Sequence, residues 1–455
     1  MSTDEGLFGG LFGRGGVDTG DAAWLRAMLD TEAALARALE RSGLAAAGAG
    51  AAVTAAAAGD GFDAGELGRQ AALTGNPVPP LVRALTRAVP GWAAGAVHRG
   101  ATSQDILDTA MMLLAKRAAA VVLPDLSAAA TAAAGLAEAH RSTIMIGRTL
   151  LQQAVPVTFG LVAAGWLTGV DDAKRGLARV AGQRLAVQFG GAAGTLAALG
   201  EAGPRVAALL AGELGLAVPV VPWHTDRLRI LELASAAAGV TGALGKIARD
   251  VTLLAQSEVA EVSEGGGTGR GGSSAMPHKR NPVGSVLILG CARRVPGLLA
   301  TLAAAAEQEH QRAAGAWHAE WETLADLLRL TGSAASWGAE LLAGLTVDGQ
   351  RMRANLDAAG GFPMAEQVAG LLAPALGPVA AHDLVAAAAA DAAARGVSLG
   401  DALRTGEPAG KLAAAGVSRD KLDAALDPAG YLGAAGAFTD AALAAHRELA
   451  ERPGP

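Results

Sequence analysis

Alanine runs broken at short intervals by leucine, valine and charged residues fill much of this chain, and they commit it to helix before any motif is considered. Alanine has the highest helix propensity, and the clusters of Val, Ile, Thr and Tyr that would mark strands are scarce. Aromatic residues make up only 3% of the sequence, with a single tyrosine. The expected fold class is therefore all-α. No repeat of fixed period runs through the alanine-rich segments, and their interleaved apolar and charged residues let them pack.

Apolar positions at helical spacing, among them Leu25, Met28, Leu29 and Leu35, predict a first helix over 21–44, with Gly43 near its stop. Short helices are expected up to about residue 95, with Gly75-Asn76-Pro77 as a turn between two of them. A long helix is expected over 103–140, its dipole complemented by Asp105 near the start and its axis open to a bend at Pro124. Four more long helices follow, over 151–179, 226–264, 283–311 and 317–345. Five such helices make a bundle. At 455 residues there is room for more than one domain. The expected division is a helical N-terminal domain over 1–102, a central long-helix bundle over 103–360, and a C-terminal helical cap over 361–455. The cap's short helices are interrupted at Pro363, Pro374, Pro378, Pro408 and Pro428. The stretch 150–170 carries no charge and raises a transmembrane span by length. Gln152, Gln153, Pro156 and Thr158 argue instead for a helix buried in the bundle.

The net charge of −6 at pH 7 argues against a nucleic-acid-binding surface, so an anionic substrate would have to be met by a local cluster of cations. The single cysteine, Cys291, allows no intrachain disulfide and fits a reducing cytoplasm; its apolar neighbours suit a buried small hydrophobe. The first residues include Asp4 and Glu5 and no apolar run long enough for a secretion signal, so a cytoplasmic location is expected and no membrane partner. The eight histidines show no HExxH spacing and there is no CxxC, so neither metal nor cofactor is expected. His310 and His318, on expected helices, read as surface or interface residues. No G-x-S-x-G elbow points to a Ser-His-Asp hydrolase.

The segment that carries most chemistry is Gly271-Gly272-Ser273-Ser274-Ala275-Met276-Pro277-His278-Lys279-Arg280-Asn281-Pro282, in an expected lid near 265–282. Glycines 265, 266, 267, 269, 271 and 272 free its near half, and two prolines restrain its far half. A glycine-serine stretch followed by Lys-Arg is ordinarily a solvated loop; the complete ordered string is what sets this one apart. Its residue types suit proton abstraction beside a carboxylate, with a serine alkoxide as base and Lys279 and Asn281 receiving the charge that develops on the carboxylate oxygens. The loop also matches a dinucleotide fingerprint at Gly267, Gly269 and Gly272, but a long helical pattern rather than a buried strand precedes it, so that match is accidental.

Two further segments set polar groups before long helices. His98-Arg99-Gly100-Ala101-Thr102-Ser103-Gln104-Asp105 places a histidine, an arginine and two hydroxyls where free backbone N–H groups and the helix dipole favour an anion. Gly147-Arg148-Thr149-Leu150-Leu151-Gln152-Gln153 sets Arg148, Thr149 and Gln152 at the head of the next expected helix. Together with the lid, these segments resemble the three motif regions of the fumarase/aspartase superfamily, in that family's order. The likeness extends through MLDTEAALARAL from Met28, PWHTDRLRILELAS from Pro222, GKIARDVTLLAQSEVAEVSE from Gly245, EHQRAAGAWHAEW from Glu309 and LDPAGYLGAAGAF from Leu426, nearly the whole chain.

The resemblance implies a homotetramer whose central helices pool into one bundle, with each active site built from three subunits. It places Ser273 at the catalytic base and Thr102, Ser103, Thr149, Gln152, Lys279 and Asn281 at substrate-contacting positions, with Arg312 as a further contact. Within the superfamily the likeness is to a branch that closes an unsaturated tricarboxylate to a lactone. Such a trianion gives Arg99, Arg148, Lys279, Arg280 and Arg312 a shared purpose. The lid and the 148–153 segment are expected at opposite ends of long helices in one chain, which is why the site would need several subunits. Fumarases and adenylosuccinate lyases carry a histidine directly after the Arg-Thr pair, where this chain has Leu150. Their leaving groups need a proton, whereas a lactone opens by expelling a carboxylate whose conjugate acid has a pKa of about 4. Another lyase of the superfamily, or a catalytically silent homologue, is the alternative.

Overall fold

The computed structural model describes residues 6–265, 271–272 and 275–451; Ser273 and Ser274 lie outside the described residues. Helix α1 (Asp21–Arg41) is followed by short helices at Ala49–Ala57, Ala64–Thr74 and Val78–Ala88. The long α2 (Ser103–Ala139) runs on through Pro124 and leads into a hairpin of β1 (Ile144–Thr149) and β2 (Gln152–Thr158). Helices α3 (Phe159–Gln183), α4 (Leu228–Leu254), α5 (Val283–Ala304) and α6 (Ala316–Ala343) complete the set of five long helices. They pack on one another as a bundle, with α2 on α3 and α6, and α4 on α3, α5 and α6. Gly338 lets α4 and α6 come close, since a Cβ there would lie 2.7 Å from the Leu244 side chain.

Three segments expected to be helical are not, the shortest being 305–311, since α5 ends at Ala304. Residues 152–158 form β2, Leu151 lies in the turn before it, and the helix begins only at Phe159, where the Thr158 hydroxyl accepts the Leu161 N–H at 3.2 Å. Pro156 explains the difference. It would cost a helix interior a hydrogen bond and a clash, but a two-stranded ribbon accommodates it, and Val155, Val157 and Thr158 around it favour extended backbone. Arg148, Thr149 and Gln152 therefore stand on a hairpin rather than at a helix head. Likewise α4 stops at Leu254, and β3 (Val262–Glu264) pairs antiparallel with β4 (Leu345–Val347) where helix was expected.

One hydrophobic core joins the N-terminal helices to the bundle, from Val17 to Leu443. A second, smaller cluster centred on Val368, Leu384, Leu399 and Leu422 holds the short helices that follow α7 (Gly349–Ala358). The last helix, α8 (Ala435–Glu451), leaves that cluster and lies along α3, where His446 Nδ1 sits 2.9 Å from Asp171 Oδ2.

The long helices alternate in direction, which sorts the functional segments between two ends. At the first end His224, just before α4, meets Asp105 in the first turn of α2, Arg227 meets Glu320 near the start of α6, and Asp226 bridges to Glu307 just past α5. Three helix N-termini thus converge there. At the second end lie the β1–β2 hairpin, β3, β4 and the described stem of the lid, 271–272 and 275–282. Helix α4 alone has 27 residues. At 1.5 Å per residue it sets the two ends about 40 Å apart.

Candidate active site

The first end is organised by buried carboxylates. Thr102 precedes α2 in extended conformation, and its N–H donates to Asp105 Oδ2 at 2.9 Å. Asp105 is 1% exposed and its oxygens also accept the N–H groups of Gly190 and Gly191 at 3.0 and 2.9 Å, with His224 Nε2 at 2.7 Å. One turn on, Asp108 accepts Arg227 Nη1 and Nη2 at 2.8 and 3.1 Å and Trp317 Nε1 at 2.9 Å. Arg227 also donates to Glu320 through Nε at 2.9 Å and Nη2 at 2.5 Å. Burial alone would drive this guanidinium toward neutrality; the two facing carboxylates more than offset that and raise its pKa above the ordinary arginine value. Gln104 transmits the network outward: Nε2 donates to Asp108 Oδ2 at 3.1 Å and to the His224 carbonyl at 2.8 Å, while Oε1 accepts Arg312 Nε at 3.2 Å. Arg312 is further fixed by the Ala192 carbonyl at 3.2 Å.

His98 sits beside this network in left-handed backbone, with φ 57. Its N–H donates to Glu32 Oε2 at 3.0 Å, and its Nδ1 lies 2.6 Å from Glu32 Oε1. Arg99 is exposed and donates to the Leu44 carbonyl. The structure therefore gathers His98, Thr102, Ser103 and Arg312 around the start of α2.

At the second end the hairpin register pairs Thr149 with Gln152, leaving Leu150 and Leu151 as a two-residue tip. Both have positive φ, 51 and 64, and they are 96% and 73% exposed. Thr149 and Gln152 flank them, also exposed. Arg148 is turned away: its two terminal nitrogens donate to both oxygens of the fully buried Glu261 at 2.8 and 2.7 Å, and Asn355 supplies a third hydrogen bond at 2.8 Å. This pair ties the hairpin base to the segment leading into β3. The lid stem is closed by Gly271, whose carbonyl accepts the Asn281 N–H at 2.8 Å and its Nδ2 at 3.1 Å. Only glycine suits that position, because φ is +68 and a Cβ would lie 2.5 Å from the Asn281 carbonyl. Glu264 anchors the far side by accepting the Gly284 and Ser285 N–H groups at 2.9 and 2.8 Å. Lys279 and Arg280 are exposed. Hairpin and lid thus share one end of the chain, contrary to the expectation that long helices separate them; what lies across the bundle from both is the His98 to Asp105 segment with Arg312. His310 is not helical but an exposed loop residue with φ 47, while His318 is exposed on α6.

Sequence reasoning passed over Glu32, Asp108, His224, Arg227, Glu261 and Glu320. A signal was available: charged or hydrogen-bonding residues recur three apart at 105 and 108, 224 and 227, and 317 and 320, each pair near the start of an otherwise apolar helix.

Residues 90–297 match the family model described as lyase. A 3-carboxy-cis,cis-muconate cycloisomerase of Bradyrhizobium diazoefficiens is 49% identical over 377 residues, 82% of this chain and 84% of the relative. A nitrosuccinate lyase of Streptomyces davaonensis is 48% identical over 394 residues, covering 84% of this chain and 83% of that protein. Among solved structures, the 3-carboxy-cis,cis-muconate lactonizing enzyme of Pseudomonas putida aligns with a TM-score of 0.88 at 40% identity, covering 98% of this chain and 99% of that one. The chain belongs to the fumarase/aspartase lyase superfamily, within the family that includes the bacterial 3-carboxy-cis,cis-muconate cycloisomerases.

Proposed function

We propose that the protein catalyses the reversible cycloisomerisation of 3-carboxy-cis,cis-muconate to a carboxymuconolactone, a step in the breakdown of protocatechuate in the cytoplasm. The end-to-end likeness to a muconate lactonizing enzyme carries this reading. One substrate carboxylate adds to a double bond, forming the ring C–O bond and an enediolate-like carboxylate on the neighbouring carbon; Ser273 delivers a proton to that carbon. In reverse the Ser273 alkoxide removes the proton and the ring carboxylate leaves. Lys279 and Asn281 take up the charge that accumulates on the carboxylate oxygens. Leu150 at the hairpin tip offers no proton, and none is needed, because the leaving group is already a stable anion.

The site is completed by other copies of the chain, in a homotetramer. Helix α5 supports this: it is apolar enough to span a membrane by length and composition, yet only 28% of its most apolar window is buried in the single chain. Val286, Pro296, Gly297, Ala300, Ala303 and Ala304 remain exposed, small residues suited to close helix packing. A second copy running antiparallel along such a face brings the His98 end of one chain to the Lys279 end of another.

The nitrosuccinate lyase relative motivates a second reading, since nitrite also leaves as a stable anion and Leu150 suits both reactions. Loss of the conjugated diene absorbance on adding purified protein to 3-carboxy-cis,cis-muconate, with nitrosuccinate elimination followed in parallel, decides between them. Release of nitrite without attack on the muconate would reverse the assignment.

A further inference from the structure

The carboxylate of Glu32 is spent on a single residue. It sits on α1, fully buried, and among the described residues no lysine or arginine pairs with it. Both of its oxygens face His98, one taking the backbone N–H at 3.0 Å and the other lying 2.6 Å from ring Nδ1. That two-point grip also fixes His98 in left-handed backbone, a conformation that costs an ordinary residue about 1 kcal/mol or more and persists only where surroundings enforce it. The ring side chain is 20% exposed, and among the described residues its Nε2 has no hydrogen-bond partner. Beside it, the first turn of α2 presents Thr102 and Ser103.

We infer that Glu32 is a positioning residue of the site: it clamps His98 by backbone and ring so that Nε2–H is presented as a donor to one carboxylate of the substrate. This builds on the proposed muconate activity. A buried carboxylate without a cation is unstable, so the pair favours the state in which the ring carries the second proton. The charged groups that face His98 are Glu32 from α1 and Asp105 from α2; the short turn Ala94–Ala96 alongside carries none. Burial opposes protonation of the ring, but the Glu32 hydrogen bond and charge, with Asp105 behind, raise its pKa above the ordinary histidine value. The ring is therefore a cation at lower pH and loses its charge as pH rises through that raised pKa.

Glu32→Gln tests the clamp. A glutamine can accept the backbone N–H through Oε1 and donate its amide N–H to ring Nδ1, which leaves the neutral ring with Nε2–H; it supplies no charge, so His98 should deprotonate at lower pH and meet the substrate carboxylate without its positive charge. The expected result is a KM for 3-carboxymuconate near the parent value at pH 5.5 and about tenfold higher at pH 8, with kcat changed less than about threefold. Glu32→Asp, which keeps the charge, should recover part of the loss. NMR of the histidine ring should show His98 titrating at lower pH in Glu32→Gln than in the parent. A purely structural role would lower stability in both variants without moving the titration. A KM ratio that does not change with pH, or an unmoved His98 titration, would overturn the proposal. Failure of the parent protein to transform 3-carboxymuconate would instead sink the functional reading, and the NMR comparison would still decide the clamp.

Discussion

Leu150 and Leu151 occupy the two central positions of a hairpin turn in which both residues have positive φ, a place where Asn-Gly is the favoured pair. Each leucine pays about 1–2 kcal/mol for that backbone, and both side chains face solvent in the single chain. Nothing in the hairpin itself repays the strain, so the tip is shaped for what it meets. Replacing the pair by Asn-Gly is expected to raise the unfolding free energy by about 1–2 kcal/mol in chemical denaturation while lowering kcat/KM at least about tenfold. A variant that is both more stable and fully active would remove the tip from the site. Ser273→Ala should cut kcat by about three or more orders of magnitude while KM stays within about tenfold, because the proposed mechanism assigns the transferred proton to this hydroxyl. Near-normal turnover would shift the base, with Ser274 the first to be tried. The motif strings that single out these residues are ordered and specific in the sequence. The strain at Leu150 was not legible there, because nothing in a Leu-Leu pair announces a turn.

At the level of elements, the starts of α2, α4 and α6 are held together by one buried ionic cluster, Asp108, Arg227 and Glu320, with Trp317 and Gln104 at its edges. Its worth lies in what removal of one partner leaves behind. Arg227→Met strands two carboxylates out of water and is expected to cost about 3–5 kcal/mol in urea unfolding at neutral pH. Adding Asp108→Asn and Glu320→Gln should restore about half of that loss; no recovery would mean that stacking of the Arg227 guanidinium over the Trp223 ring, rather than its ion pairs, dominates. The five long helices themselves were readable from periodicity, alanine content and the proline positions. The hairpin was not, because an uncharged stretch over 150–170 reads as one buried helix until Pro156 and the β-branched residues around it are weighed together. Nor were the ion pairs, since partners such as Arg148 and Glu261 lie far apart in sequence and meet only through the fold.

On the scale of the whole molecule, the length of the bundle decides how an active site can be assembled. The His98 segment and Arg312 stand at one end of α4, the hairpin and lid at the other, about 40 Å apart along 27 residues of helix. A muconate is only a few bonds long, so no single chain can present both sets to it. The lid and the 148–153 segment, expected at opposite ends, are not separated: the Arg148–Glu261 contact ties the hairpin to the segment leading into the lid stem, so the separation to exploit runs between His98 and that stem. A His98→Ala protein and a Ser273→Ala protein, each inactive alone, should therefore regain activity when unfolded and reassembled together, because some mixed sites then combine an intact first end with an intact lid. With statistical mixing, recovery should approach about a quarter of parental activity, since a site shared in the proposed way needs His98 from one chain and Ser273 from another, each intact with even odds. The diene assay reads the recovery, and light scattering confirms assembly. Mixed tetramers without activity would show that the two ends do not serve a common site, and an active monomer would exclude the shared site altogether.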